Sequence, residues 1–80
     1  MKALCNAQTK AVAANIRKAR EQKSYTQMFL AAKLDISQNA YSKIELGYSN
    51  ITVSRLLSVA EILEVDVMQL MKIGTAGAKV

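Results

Sequence analysis

The sequence predicts an all-α fold, a compact bundle of five helices, and three observations support this prediction. The 80 residues include no proline and few aromatic residues, while 51% are hydrophobic, a composition that suits helices packed around one modest core. Apolar residues recur at the three- and four-residue spacing of a helix along several stretches. In addition, one pattern typical of a helix start occurs four times.

Each of these helix starts has an apolar residue, a capping Thr, Ser or Asp directly after it, and a second apolar residue five positions after the first. The capping oxygen can accept a hydrogen bond from a free backbone N–H of the first turn, and the two apolar side chains fix the entry angle of the chain. The four sites are Tyr25-Thr26 with Leu30, Ile36-Ser37 with Tyr41, Ile51-Thr52 with Leu56, and Val65-Asp66 with Leu70. They predict helices near 27–33, 37–45, 53–63 and 67–72.

A further helix is predicted before these four, over roughly residues 10–22. Val12, Ile16 and Ala19 fall on one face of that helix, and charged residues occupy other positions around it. Both ends of the chain are expected to be flexible. The expected organisation is a flexible N-terminal segment over 1–9, one domain over 10–73 and a flexible tail over 74–80.

The second and third of the five helices are separated only by a short turn around Asp35. The apolar residues on both sides of this turn can be buried only if the two helices pack together, and Ala31 is small enough for a close approach. This arrangement is a helix-turn-helix over about 27–45, whose second helix enters the major groove in DNA-binding proteins. We expect a left-handed backbone at Asp35, which Asp tolerates better than most residues.

The predicted helix 37–45 leaves four polar side chains off its apolar face, namely Gln38, Asn39, Ser42 and Lys43. Gln and Asn each offer a donor and an acceptor in one plane, which matches the N6 and N7 groups of adenine. Lys43 can reach guanine or a phosphate, and Ser42 can adapt to either a base edge or a phosphate. An ordinary solvated face is the plainer interpretation, but the position after a capped helix and a turn favours base contact.

Positive charge is concentrated in the part of the chain that includes the predicted helix 37–45, which we call the reading helix because it would contact the bases. Residues 1–45 carry the whole net charge of +5, and residues 46–80 are neutral overall. Such an imbalance is typical of proteins that bind a polyanion such as double-stranded DNA. A basic face kept for solubility is the alternative interpretation.

The chain has no histidine and a single cysteine, Cys5, which narrows the possible chemistry. It can form no internal disulfide or zinc site, so we expect a reducing, cytoplasmic environment and no metal or other cofactor. Because the commonest general base is missing and no Gly-rich phosphate loop occurs, we do not expect an enzyme. No uncharged stretch approaches the roughly 20 residues of a membrane span, so a membrane partner is not expected either.

With these features, the chain resembles the lambda-repressor-like (Cro/repressor, xenobiotic-response-element type) helix-turn-helix family over about residues 12–71. The matching residues are Arg20-Glu21, Thr26-Gln27, Leu30-Ala31 with Leu34, Ile36-Ser37, Ser42-Lys43-Ile44-Glu45 with Gly47, and Leu56, Ala60, Leu63, Val65 and Leu70. The resemblance implies a five-helix DNA-binding domain, commonly dimeric, that regulates transcription in bacteria or phages. A repressor is expected, because no activating surface or ligand-binding domain is recognisable.

The resemblance also implies roles for single residues. Gln38 and Asn39 would make the main base contacts, Arg20 and Glu45 would form a structural ion pair, and Gln27 would bind a backbone phosphate. Gly47 would end the reading helix. The other phosphate candidates, chosen for their charge, hydroxyl or amide groups, are Ser37, Arg17, Lys33, Tyr48 and Asn50. For Tyr48 and Asn50, roles in packing or in the turn are alternatives.

The chain departs from the family pattern in three places. Asp35 occupies a turn position that usually holds glycine, the loop 46–52 lacks basic residues and proline, and Met28 and Phe29 are bulky for a solvated face. The last two departures keep a second interpretation open. It is a protein-interaction module on the same fold, such as an antitoxin or antirepressor, with a protein partner such as a toxin.

The last predicted helix has more apolar residues than its short length can bury inside one small domain. A second copy of the chain would cover Val67, Met71 and Ile73, and would place two reading helices about 34 Å apart on a near-palindromic site. The alternative is that these residues complete the core of a monomer. We therefore expect a homodimer, with these three residues at its interface.

Overall fold

The structure, a computed structural model, describes the backbone of residues 2–48 and 51–72 and the side chains of residues 9–48 and 51–72. Five α-helices lie in these ranges, which confirms the all-α five-helix prediction. They are α1 (Lys2–Gln22), α2 (Gln27–Leu34), α3 (Gln38–Glu45), α4 (Val53–Leu63) and α5 (Val67–Leu70). Helix α3 packs against α1 and α2, α4 packs against α1 and α2, and α5 packs against α1 and α4.

All four predicted helix starts are capped as expected. Oγ1 of Thr26 and Oγ of Ser37 each accept a hydrogen bond of 3.0 Å from the backbone N–H three residues further on. Thr52 and Asp66 cap α4 and α5 with comparable bonds. A side-chain cap contributes about 1 kcal/mol, so these four residues help to set where α2 to α5 begin.

Helix α1 begins earlier than predicted, at Lys2 instead of Lys10. Residues 2–9, which belong to the segment expected to be flexible, are thus part of α1. The predicted start was based on the spacing of apolar residues. The helix extends further because residues 2–22 contain no glycine or proline and several alanines, the strongest helix formers. The predicted tail 74–80 lies outside the described residues.

The turn between α2 and α3 has the predicted left-handed backbone. Asp35 has φ 60° and ψ 44°, and the N–H of Ile36 donates to the carbonyl of Ala31 at 3.0 Å, which closes α2. Gly47 follows α3 with φ 77°, also as predicted, and Glu64 at the end of α4 has φ 58°. The left-handed backbone at Glu64 was not predicted.

The core lies where α1, α2, α3 and α4 meet, and α5 covers one side of it. Its fully buried large side chains are Tyr41, Ile16, Leu30, Leu63, Leu70 and Val59. Ala31 is buried in the same cluster, in agreement with the close approach expected in the helix-turn-helix. Because α3 contributes its apolar face to this core, its opposite face lies at the surface.

Candidate nucleic-acid interface

The outer face of α3 carries the four side chains that the sequence predicts as base contacts. Gln38, Asn39 and Lys43 are exposed, and Ser42 is half-buried. At 3.6 residues per turn, these positions span about 140° of the helix surface. The buried residues of the same helix are Tyr41, Ile44 and Glu45. The structure thus brings the four candidates together on one polar face of a helix whose other face is fixed.

A buried ion pair between Arg20 of α1 and Glu45 anchors the C-terminal end of α3, and it is the pair that the resemblance implied. Nε of Arg20 lies 2.6 Å from Oε2 of Glu45, and Nη2 lies 3.1 Å from Oε1, so the contact is bidentate. The two side chains are 12% and 2% exposed. Nη1 of Arg20 also donates to the carbonyl of Tyr25 at 2.8 Å, which connects the pair to the entry of α2.

Glu45 accepts hydrogen bonds from two further donors that were not predicted from the sequence. The hydroxyl of Tyr41 donates to Oε2 at 2.5 Å, and Nε2 of Gln27 donates to Oε1 at 3.0 Å. Tyr41 precedes Glu45 by four residues, the spacing at which side chains meet on a helix, so a signal for this bond was present in the sequence. Gln27, the implied phosphate contact, uses one amide hydrogen for Glu45 and has a second one to donate.

These contacts keep the cluster in one protonation state at neutral pH. Burial raises the pKa of the Glu45 carboxyl, but hydrogen bonds from Arg20, Tyr41 and Gln27 outweigh it, and the pKa is held below its ordinary value of 4.5. Burial, together with the hydrogen bond to Glu45, raises the pKa of the Tyr41 hydroxyl above its ordinary value of 10.0. The hydrogen bond to Glu45 likewise raises the pKa of Arg20. A carboxylate, a phenol and a guanidinium therefore face one another.

The phosphate candidates at the helix starts lie close to the reading face. Gln27 is the first residue of α2, and Ser37 directly precedes α3. Tyr48 is exposed two residues beyond Leu46, the residue that closes α3. Asn50 lies outside the described residues.

The two remaining phosphate candidates have other charged or aromatic neighbours. Nε of Arg17 donates to Oε2 of Glu21 at 3.1 Å on the exposed side of α1, which offsets part of its positive charge. Nζ of Lys33 lies 5.5 Å from the centre of the Phe29 ring, and that ring lies 4.5 Å from the ring of Tyr25. Lys33 and Phe29 thus belong to an exposed patch on α2, which we call the α2 patch and which also includes Met28.

The residues predicted for a dimer interface differ from one another in exposure. Val67 is half-buried and packs against the core of its own chain, so it completes the monomer as the alternative interpretation supposed. Met71 is 48% exposed and Met68, which was not named as an interface residue, is 66% exposed. Ile73 lies outside the described residues. The exposed apolar surface at this end of the chain is therefore centred on Met68 of α5 and on Met71, which directly follows α5, because Val67 and Leu70 point to the core.

The described residues contain no cluster of three or more His, Cys, Asp or Glu side chains that could hold a metal ion. Within the same ranges, no helix combines the length and apolar character that crossing a lipid bilayer requires.

Together, the short turn, the capped second helix and its polar outer face define a helix-turn-helix domain. A family model described as "Helix-turn-helix" matches residues 16–70, and the chain belongs to this family, which is the lambda-repressor-like type that the sequence resembles. The match includes all of α2, α3, α4 and α5 and every buried hydrophobic residue of the core except Ala13.

A curated relative and two solved structures are similar to this chain. The relative is an uncharacterized HTH-type transcriptional regulator, YqaE, from Bacillus subtilis (strain 168), 38% identical over 66 residues, which are 82% of this chain and 56% of the relative. The chain thus spans little more than half the length of that protein. A hypothetical transcription factor, NHTF, from Neisseria is 26% identical with a TM-score of 0.78, covering 90% of this chain and 83% of the other. The clp gene regulator ClgR from Corynebacterium glutamicum is 28% identical with a TM-score of 0.79, covering 89% and 74%.

Proposed function

We propose that this protein is a sequence-specific regulator of transcription, a repressor, which reads the major groove of double-stranded DNA with α3. The observation that carries the proposal is the outer face of α3, where Gln38, Asn39 and Lys43 are exposed on a helix anchored by the buried Arg20–Glu45 pair. A relative named as a transcriptional regulator and a similar structure named as a gene regulator support the same function. A repressor needs only to occupy its site, which a compact domain of this kind can do.

Base recognition in this proposal depends on the carboxamides near the start of α3. Gln38 and Asn39 lie in its first turn, the part of a reading helix that contacts base edges. Each can donate to N7 and accept from N6 of adenine, and a good bidentate contact contributes about 1–3 kcal/mol of discrimination. Lys43, one turn further along, would bind guanine or a phosphate. Ser42, whose side chain is short, would contact a base edge or a phosphate beside it.

Phosphate binding would hold this face in register with the groove. The second amide hydrogen of Gln27 and the hydroxyl hydrogen of Ser37 are suited to backbone phosphates, because both residues lie at helix N-terminal ends beside α3. Lys33 of α2 and Tyr48, which follows α3, would add further phosphate contacts. Arg17 is a weaker candidate, because its ion pair with Glu21 must be shared or broken.

We further infer that two copies bind one site, with Met68 of α5 and Met71, directly after α5, at the centre of the contact. Both methionines are exposed, and a two-fold arrangement would place two reading helices about 34 Å apart. The mass in solution tests this step. A dimer in the unmodified protein and a monomer in Met71→Glu would support the interface at α5, whereas a monomeric mass for the unmodified protein would contradict it.

Selection from a pool of random duplexes, sequenced after binding at low and at higher salt, tests the main proposal. An enriched motif with two symmetric halves one helical turn apart supports base reading and the dimer together. Salt-sensitive binding without a motif would contradict sequence-specific reading, because phosphate contacts alone produce it. A protein that binds no duplex at either salt would contradict the proposal as a whole.

A protein-interaction module of the antitoxin type is the second candidate, and the α2 patch favours it. Met28 is 63% exposed and Phe29 37%, so two bulky apolar side chains lie at the surface of the first helix of the helix-turn-helix. If the neighbouring gene encodes a small toxin, its product should bind this chain, and Phe29→Ser should weaken that binding. Without such a complex, the ring of Phe29 would serve the domain through its contacts with Tyr25 and Lys33.

A further inference from the structure

Lys10 of α1 lies directly against the turn that ends the reading helix. A Cβ atom added to Gly47 would lie 2.7 Å from Cγ and 3.2 Å from Cα of Lys10. The backbone of α1 and the turn after α3 are therefore in close contact at this pair. Lys10 is exposed whereas Gly47 is buried. The aliphatic part of the lysine side chain therefore covers the glycine, and the lysine adds a positive charge to the protein surface at this end of α3.

The turn itself brings no charge to this end of the interface. Residues 46–52, which connect α3 to α4, include no acidic or basic side chain, and Lys43 is the only cation within α3. When a helix occupies the major groove, the sugar–phosphate backbones that border the groove pass close to its ends and to the adjacent turns. A cation from another element is therefore needed for an ionic phosphate contact at the turn after α3.

We propose that Lys10 supplies this contact, and that it binds a DNA backbone phosphate beside Gly47, together with Tyr48. This inference rests on the function proposed above and adds to it a phosphate-binding residue on α1, outside the helix-turn-helix. A lysine suits the role because its ammonium is a compact charge on a flexible stem, which needs no fixed orientation toward a phosphate. The contact would add affinity for every DNA sequence alike.

Lys10 also has a purely structural role available to it. A cation beside the C-terminal end of a helix interacts favourably with the helix dipole and the free carbonyl groups. That role would stabilise the fold of the free protein and leave DNA binding independent of Lys10. The two roles differ in their salt dependence, since only a phosphate contact releases counterions from DNA.

The experiment compares Lys10→Gln with Lys18→Gln on a labelled random-sequence duplex over a series of salt concentrations, with thermal unfolding measured in parallel. Lys18 is an exposed lysine of the same helix, but it lines the cleft between α1 and α5. It therefore provides a matched loss of charge eight residues further along α1 than Lys10, about 12 Å at the rise of an α-helix. A random duplex suffices, because phosphate contacts do not depend on base sequence.

If Lys10 binds a phosphate, the slope of log K against log salt should become about 0.9 less steep in Lys10→Gln. The slope should be unchanged in Lys18→Gln and restored in Lys10→Arg. Equal slopes in the unmodified protein and Lys10→Gln would overturn the inference while leaving the DNA-binding function in place, as would equal changes in both glutamine variants. Failure of the unmodified protein to bind the duplex would overturn both.

Discussion

The hydroxyl of Tyr41 donates a 2.5 Å hydrogen bond to Oε2 of Glu45, one turn further along the same helix. The same oxygen accepts a 2.6 Å bond from Nε of Arg20, so a phenol from the core and a guanidinium from α1 meet at a single buried atom. Tyr41 is completely buried and belongs to the apolar face of α3. One side chain thus contributes both to the hydrophobic core and to the polar cluster that fixes α3 against α1.

Replacing Tyr41 by phenylalanine should destabilise the fold by about 1.5–3 kcal/mol, the range for a hydrogen bond to a charged group. Phenylalanine keeps the ring and its packing, so the loss would report on the hydroxyl. The measurement is the urea midpoint at neutral pH. Tyr48→Phe is the matched control, because Tyr48 is exposed, and it should leave the midpoint unchanged. A comparable midpoint in both variants would show that the hydroxyl of Tyr41 does not stabilise the fold.

Removal of the Glu45 carboxylate should cost more than removal of the Tyr41 hydroxyl. In Glu45→Ala, the buried guanidinium of Arg20 loses its counter-charge, and the loss of one partner of a buried pair costs about 3–5 kcal/mol. Glu61→Ala is the control, since it removes an exposed carboxylate from α4. Chemical unfolding measures both variants. In addition, any Glu45→Ala protein that remains folded at low temperature should retain its preference among DNA sequences. A change of preference with an intact fold would place Glu45 among the reading residues.

The stability of the domain should fall at both ends of the pH scale because of this cluster. The pKa of Glu45 lies below its ordinary 4.5 in the folded state, so its contribution is complete above pH 4.5 and is lost as the pH falls through the folded-state pKa. The pKa of Tyr41 lies above its ordinary 10.0, so its contribution is complete below pH 10 and is lost as the pH rises toward the folded-state value.

Urea unfolding midpoints from about pH 3 to about pH 11 would measure both effects. Tyr41→Phe offers an internal comparison. It should flatten the alkaline decrease, because the raised phenol pKa is gone, and it should move the acid decrease to higher pH, because Glu45 loses one of the bonds that lower its pKa. An alkaline decrease that persists unchanged in Tyr41→Phe would have to come from other groups.

Local chemistry made much of the fold predictable from the sequence. The caps at Thr26 and Ser37 and the left-handed turn at Asp35 depend on residues next to one another in the chain, so their signals are contiguous. The early start of α1 at Lys2 was missed because it has no apolar periodicity to mark it. The first turns of α1 form because their residues have high helix propensity, and propensity cannot be recognised from the pattern of buried positions.

The candidate site was predictable in part, for a different reason. The exposed face with Gln38 and Asn39 follows from which positions of α3 are apolar. The approach of Gln27 to Glu45, in contrast, depends on the distance between α2 and α3 in three dimensions. The bond from Tyr41 joins two residues one turn apart on α3, so its spacing was visible in the sequence. The contact of Lys10 with Gly47 depends likewise on how α1 crosses the end of α3, and residues 37 positions apart in sequence carry no local sign of it.

Asp35→Gly should stabilise the domain by about 0.5–1 kcal/mol. A non-glycine residue in the left-handed region costs about 1–2 kcal/mol, and part of the gain is offset by the larger freedom of glycine in the unfolded chain. Asp66→Gly is a control with the opposite expected sign, because Asp66 has φ −73° and its side chain caps α5. Melting temperatures of the two variants would therefore move in opposite directions. A lower melting temperature for Asp35→Gly would mean that the Asp35 side chain stabilises the turn.

Gln38→Ala should weaken binding to the selected DNA site by about 1–3 kcal/mol per half-site and leave binding to scrambled DNA nearly unchanged. The reason is that a base contact contributes only on the correct sequence. Lys33→Ala should instead weaken binding to both duplexes by the same factor, because a phosphate contact does not depend on sequence. Titration of both duplexes with both variants at one salt concentration gives the four affinities.

The ratio of cognate to scrambled affinity is the quantity that separates the two roles. In Gln38→Ala the ratio should fall, and in Lys33→Ala it should stay at the value of the unmodified protein. Since Gln38 and Lys33 are both exposed, neither substitution removes a core contact, and unfolding cannot account for a selective loss. Equal losses on the two duplexes from Gln38→Ala would remove Gln38 from the base-reading set, and Asn39 would then be the next residue of α3 to test.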